Sequence, residues 1–285
     1  MTQGNGRRLR ITHHTGYRYS EAVDASFNEV RMTPLNGDGQ TLLSHVLSVS
    51  PAASVQTYSD YWGAHVESFD VHASHRLLEI SATSTVDTPP LPPYRPGTTW
   101  DEVRSAGVQD EFAELLTFTD YVDDLRAEPE LVTLIEALSV ADSPELAAGG
   151  CVAAVRARLT YTPGVTTVST TASQAWQSGH GVCQDFTHTT LALLRSLGIP
   201  ARYVSGYLHT EEDSLGLTVT GESHAWVEYW DGRWQAIDPT NDRAVGSAHV
   251  IVARGRDYAD VPPLKGIYAG GRSEGLGVVV EITQI

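Results

Sequence analysis

The stretch GHGVCQDFTHTTLALLRSLGIP, residues 179–200, decides the fold. Gly179 and Gly181 before it and Gly198-Ile199-Pro200 after it frame a helix of about four turns. Phe186, Thr190, Leu193, Leu194 and Leu197 fall on a shared face, so this helix is expected to be buried. Cys183 stands in its first turn, against unpaired backbone N–H groups and the positive end of the helix dipole, both of which favour thiolate. The same N–H groups can receive negative charge developing on a carbonyl oxygen.

A thiol nucleophile needs an imidazole base. His188 is five residues along the same helix, ~140° around its axis, and cannot reach Cys183. The second informative stretch is SHAWVEYWDGRWQAIDPTN, residues 223–241, two aromatic and aliphatic runs around Asp231-Gly232 that read as a β-hairpin. His224 opens the first strand and Asp238 closes the second, so base and carboxylate meet at one end of the ribbon, the carboxylate placed to orient the imidazole. Parity constrains the turn. A strict two-residue loop pairs Ala225 with Asp238 and puts Asp238 on the wrong face. A three-residue loop, Asp231 to Arg233, or a bulge opposes Trp226 to Asp238 and leaves His224 as a same-face diagonal neighbour. The odd-length loop or bulge is therefore predicted. Asp242 is an alternative carboxylate, placed less favourably beyond Pro239.

Working outward, the 285 residues suggest two domains, and 41% apolar and 19% charged residues with 6 Trp and 12 Tyr mark a globular chain. Between Leu9 and Val86, short β-branched and aromatic segments (residues 10–19, 26–32, 42–49, 66–72 and 77–86) alternate with turn residues, as in an antiparallel β-sandwich. Residues 88–97 carry five prolines and read as a stiff linker. Residues 101–150 hold 13 acidic and 2 basic side chains, with apolar residues at helical spacing, so the acids are assigned to the solvated faces of short helices. The predicted organisation is a β-sandwich over 1–87, a linker over 88–100, an acidic helical segment over 101–148 and a core over 149–285.

A net charge of −16 argues against nucleic acid and anionic membranes as partners. No stretch approaches a membrane span and the N-terminus is polar, so a cytoplasmic location is expected. Cys151 and Cys183 give neither a disulfide framework nor a zinc pattern, and Cys151, in an apolar helical stretch, reads as a packing residue. No calcium-loop pattern is present, and His13-His14 would point to opposite faces of a strand, so no metal is expected. Lys265 is the single lysine. That deficit follows from an arginine-favouring composition, and it also suits an enzyme whose thioester its own surface amines would otherwise capture.

At GVCQDFTHTTLALLRSLGIPARYVSGYL and SHAWVEYWDGRWQAIDPTND the sequence resembles the transglutaminase-like superfamily, and residues 58–63 and 74–78 are similar to the β-rich domain that precedes this core in bacterial members. The resemblance implies an α+β protein, an N-terminal antiparallel β-sandwich followed by a papain-like core in which a helix carrying the cysteine packs on an antiparallel sheet carrying the histidine and aspartate. It implies Cys183 as nucleophile, His224 as base and Asp238 as orienter. The implied chemistry is attack on a peptide or protein amide to give a thioester, resolved by a primary amine or by water, without a cofactor. A second oxyanion donor is sought among Gln174, Trp176 and Tyr161, and Trp226 is a candidate wall of the substrate cleft. The rival is a catalytically silent member acting as a peptide-binding or assembly module.

Overall fold

The computed structural model describes residues 6–90, 95, 97–107, 109–127, 129–211, 215–221 and 223–285. Its first six strands are β1 (Arg7–Val23), β2 (Ala25–Val30), β3 (Thr41–Ser50), β4 (Val55–Ser59), β5 (His65–Val71) and β6 (His75–Thr88). Period-2 patterning explains them: along β6, Leu78, Ile80, Ala82, Ser84 and Val86 are buried while the intervening residues are more exposed. The sequence reading has no counterpart to β4, whose five residues are all exposed and carry no apolar alternation.

Four helices follow, α1 (Trp100–Gly107), α2 (Asp110–Leu116), α3 (Pro129–Ser139) and α4 (Pro144–Arg158). Then come β7 (Thr160–Tyr161), α5 (Ala172–Ser178), β8 (His180–Gly181), α6 (Cys183–Ser196), β9 (Ala201–Leu208) and β10 (Thr218–Gly221). The chain ends with β11 (His224–Trp230), β12 (Trp234–Asp238), β13 (Arg243–Ala244), β14 (His249–Gly255), β15 (Leu264–Ala269), β16 (Ser273–Gly275) and β17 (Val279–Gln284). The acidic segment is helical as expected: Val103, Phe112, Leu115, Leu131 and Ile135 turn inward while Asp101, Glu102, Glu114, Glu130 and Glu136 face solvent. Residues 91–94 and 96 of the expected linker lie outside the described residues. Its far end is fixed by the Thr98 N–H, which donates to Asp231 Oδ1 at 2.7 Å. Among the described residues, no helix is long and apolar enough to cross a membrane.

Three sheets organise the chain. The first runs β10-β17-β1-β6-β3, with β16 also on β1; the second runs β15-β2-β5-β4. Tyr19, Val23, Leu78 and Ile80 from the first and Val30, Phe69 and Val71 from the second enclose one core, which makes the expected sandwich. The third sheet, β13-β12-β11-β9-β14, is antiparallel, and α6 packs on it. The α+β architecture is thus the predicted one.

Two boundaries differ from the sequence reading. The core assigned to 149–285 loses its end: β15 pairs with β2, and β16 and β17 pair with β1, so residues 264–284 complete the sandwich. The physical reason is that β1 and β2 would otherwise be open sheet edges, and β17 covers one of them while burying Val280 and Ile282. The second boundary, at 148, falls inside α4, a continuous helix started by the Ser143 side chain accepting from the Leu146 N–H.

The long strands β1 and β6 join the two halves. Their ends near Tyr19 and Leu78 belong to the sandwich core, whereas Leu9, Ile11 and Val86 enter the core beneath α6. Between these, buried His13 meets the Tyr207 hydroxyl of β9 at 3.0 Å. A fragment ending at residue 100 lacks β10 and β15–β17, and is expected to show no cooperative thermal transition by circular dichroism. A sharp transition in that fragment would mean that the sandwich needs no C-terminal strands.

Candidate active site

Cys183 owes its position to a close approach. A Cβ on Gly181 would lie 2.5 Å from the Asp185 Cβ, so only glycine lets the chain turn into α6 here. Asp185 Oδ2 accepts from the Val182 N–H (2.7 Å) and the Thr166 hydroxyl (2.7 Å), tying the helix start to the preceding loop. The backbone N–H groups of Cys183 and Gln184, in the first turn, have no carbonyl partner within the helix. The helix is buried on nearly all sides, residues 184–195 without exception, and not on the single face expected; its threonines satisfy themselves by donating to carbonyls one turn back. Cys183 remains partly exposed, in a cleft of ≈ 670 Å³.

The hairpin has the predicted three-residue loop. Val227 pairs with Ile237 and Trp230 with Trp234, a register that brings Trp226 opposite Asp238. Asp231 N–H donates to the Arg233 carbonyl across the loop, and Gly232 takes a φ of 74°. His224, the diagonal neighbour, donates from Nε2 to Asp238 Oδ2 at 2.8 Å. Cys183 lines the same cleft as this imidazole, and the interaction between the two groups helps the imidazole to hold its proton.

Asp238 is completely buried, yet its oxygens are heavily satisfied. Oδ1 accepts from the backbone N–H groups of Thr240 (3.0 Å) and Asn241 (3.2 Å). Oδ2 accepts from His224, from Asn241 Nδ2 (2.9 Å) and from His249 Nε2 (3.4 Å). Burial opposes the charged carboxylate, but the hydrogen bonds from His224 and His249 outweigh it and hold Asp238 well below the usual carboxylate range. Burial likewise opposes the His224 imidazolium, and its interactions with Asp238 and Cys183 outweigh it, raising His224 to about 9.

His249 is the residue that the sequence reading misses. It opens β14, two strands away from β11, and no spacing rule links position 249 to position 238. Its Nδ1 accepts from the Gly246 N–H at 3.4 Å, so its proton sits on Nε2 facing Asp238. Burial holds it below the ordinary imidazole value despite the pull of Asp238. Ligand atoms of His224, Asp238 and His249 all lie within 4.8 Å of one another, which is also a possible metal arrangement. A cation on His249 Nε2 would require the proton on Nδ1, opposed to the Gly246 donor, so the trio is a hydrogen-bonded carboxylate and does not fit a metal centre. Asn241 was within the quoted motif, but its role depends on the turn after Asp238.

The other sequence candidates separate. Tyr161 lines the cleft. Gln174 does not: it is exposed, and its side chain accepts from the Thr171 N–H (3.1 Å) in the capping box of α5. Trp176 is buried, and its indole donates to Glu130 (2.6 Å) while Arg158 lies over the ring. Neither is brought to Cys183. Trp226 lies beneath the site instead of walling it, fully buried, stacked on His224 at 6.0 Å and edge-on to His249 at 5.2 Å. Gly206, whose Cβ would lie 2.7 Å from that indole, makes room for it. Asp242 is largely exposed and paired at 3.7 Å with Arg156. His188 is wholly buried, accepts from the Tyr258 N–H and is pushed down to about 3 by burial and by Arg195. Cys151 is buried in α4, its thiol pushed up to about 12 by burial.

Comparison with known proteins agrees with this geometry. Residues 9–87 match the bacterial transglutaminase-like N-terminal region, and residues 135–239 match the transglutaminase-like superfamily. A Mycobacterium leprae protein is 42% identical over 279 residues, 98% of this chain and 99% of that one. A Pseudomonas aeruginosa protein-glutamine gamma-glutamyltransferase is 40% identical over 65 residues, 21% of this chain and 10% of the enzyme. The crystal structure of a Cytophaga hutchinsonii protein, assigned as a candidate cysteine protease, superposes with a TM-score of 0.80 at 20% identity, covering 99% of this chain and 92% of that one. With its papain-like core, its sandwich and near-full-length relatives, the chain belongs to the bacterial transglutaminase-like family.

Proposed function

We propose that this protein is a thiol enzyme that transfers or hydrolyses an amide acyl group of a peptide or protein through a thioester on Cys183. The observation that carries the reading is the His224 imidazole, hydrogen-bonded to the buried Asp238 carboxylate, in the same cleft as the Cys183 thiol at the start of α6. In the forward half-reaction His224 takes the thiol proton and Sγ attacks the amide carbon. The oxyanion is received by the N–H of Cys183, and Tyr161 is the remaining side-chain candidate for a second donor. His224 then returns the proton to the departing nitrogen, the C–N bond breaks, and ammonia or an amine leaves. A primary amine attacking the thioester gives a new amide, whereas water gives the acid; either step regenerates the thiol. A glutamine carboxamide is the acyl donor we favour, supported by the short match to the Pseudomonas enzyme. The proposal places the protein in the cytoplasm, where reducing conditions keep Cys183 and Cys151 as thiols.

Incubation with a glutamine peptide, with and without a primary amine, followed by mass analysis, separates an amine adduct from a deamidated or cleaved product. Cys183→Ala should abolish all of them while leaving the far-ultraviolet dichroism and the melting temperature intact, and turnover by that variant would reject the nucleophile. Iodoacetamide near neutral pH should modify Cys183 at least ~100-fold faster than the buried Cys151. Equal sluggishness of the two thiols would favour the silent peptide-binding module.

The raised His224 value sets a pH dependence. The imidazolium that protonates the leaving nitrogen persists as pH rises past the ordinary histidine value and is lost through about 9, so turnover should decline there. Asp238→Asn removes the charge that holds the proton on His224. It should move that alkaline limb to lower pH and reduce kcat by roughly 10²- to 10⁴-fold. An unmoved limb would show that another group controls it.

A further inference from the structure

The cleft beside Cys183 is bounded by both halves of the molecule. From the core come Tyr203, Leu208 and His224, and from the sandwich come residues of β10 and β17. Among the described residues lining it there is no Asp, Glu, Lys or Arg, although the chain carries a net −16. A substrate segment with charged side chains would lose hydration there without gaining a charged partner among the described lining residues.

β10 gives this cleft a more specific property. It is the outermost strand of its sheet; β17 takes one of its edges, from Thr218 opposite Thr283 to Gly221 opposite Val280, and no described strand takes the other. Val219 and Gly221 pair with Ile282 and Val280, and all four line the cleft. Thr220 points to the opposite face with its partner Glu281, which is exposed and does not line the cleft, yet Thr220 does. Residues of alternate faces therefore border the same space, which happens where a strand presents its backbone edge. That edge ends at Gly221, three residues and so at most about 10 Å of chain before His224, and it borders the same cleft as Cys183.

We propose that β10 is a docking strand: an extended, uncharged peptide segment adds to the free edge by main-chain hydrogen bonds and delivers its amide side chain to Cys183. The inference rests on the thiol-enzyme reading for the fate of that side chain, but docking itself needs no turnover. Strand addition gives affinity through backbone groups, and the apolar Val219, Val280 and Ile282 favour aliphatic or β-branched flanks.

The test uses full-length Cys183→Ala protein and a labelled Val-Thr-Gln-Val-Leu peptide, with binding read by fluorescence anisotropy. Replacing the flanks by Asp or by Lys should weaken binding about tenfold or more in both cases. N-methylation at alternate peptide residues should weaken it about tenfold in one parity, whose N–H groups face β10, and leave the other parity within about threefold. Equal loss in both parities, or none, overturns strand addition, and charged flanks that bind as well as neutral ones overturn the uncharged specificity. Alternating sensitivity without any turnover by the unsubstituted protein supports docking and rejects the enzyme reading, so the two ideas fail separately.

Discussion

The Asp238 carboxylate is the constraint from which the rest of the site follows. A charged group with no solvent exposure is costly unless every oxygen finds donors, and here the donors come from β11, from β14 and from the turn at Thr240 and Asn241. Removing any one of these leaves a buried charge less well paired, so the three elements are held together by one residue. The same constraint fixes tautomers. His249 must give its only proton to Asp238 because its other nitrogen accepts from Gly246. His224 also turns Nε2 to the carboxylate, which leaves Nδ1 as its other ring nitrogen.

The sandwich is part of the site and not an appendage. The reach of β1 and β6 into the second core places Leu9, Ile11 and Val86 under the same packing as Leu191 and Leu194 of α6. β17, on the neighbouring edge of β1, then lines the cleft through Val280 and Ile282. A change in the sandwich can therefore alter the cleft by moving its wall, while the sulfur and the imidazole stay on core elements.

Legibility in the sequence followed the range of the interaction. The glycine-framed helix start and the hairpin are local patterns, and the parity of His224 and Asp238 was enough to demand an odd-length loop or a bulge, of which the three-residue loop at Asp231–Arg233 is the one found. His249 was out of reach because β9 lies between its strand and β11, so no spacing rule connects it to the aspartate. The placement of β15–β17 was equally hidden, since an alternating strand does not say which of two sheets it completes. Among the oxyanion candidates, Gln174 and Trp176 have local or mid-range partners, the α5 capping box and Glu130, and these draw them away from the thiol.

The excess of arginine over lysine also takes on a structural meaning. Arg195 is buried and spends its guanidinium on the carbonyls of Thr117, Ala201 and Arg256, joining three segments at once. Arg202 and Arg254 both bind Glu228, and Arg202 lies 3.8 Å over the Trp234 ring. Each of these uses a planar, multiply donating cation, which an ammonium group does not supply. Arginine at these positions is required by geometry, whatever the composition of the genome. The sole lysine, Lys265, is on β15 opposite Glu29, in the sheet that contributes nothing to the Cys183 cleft. A thioester at Cys183 would therefore meet no lysine amine of its own chain along the cleft walls.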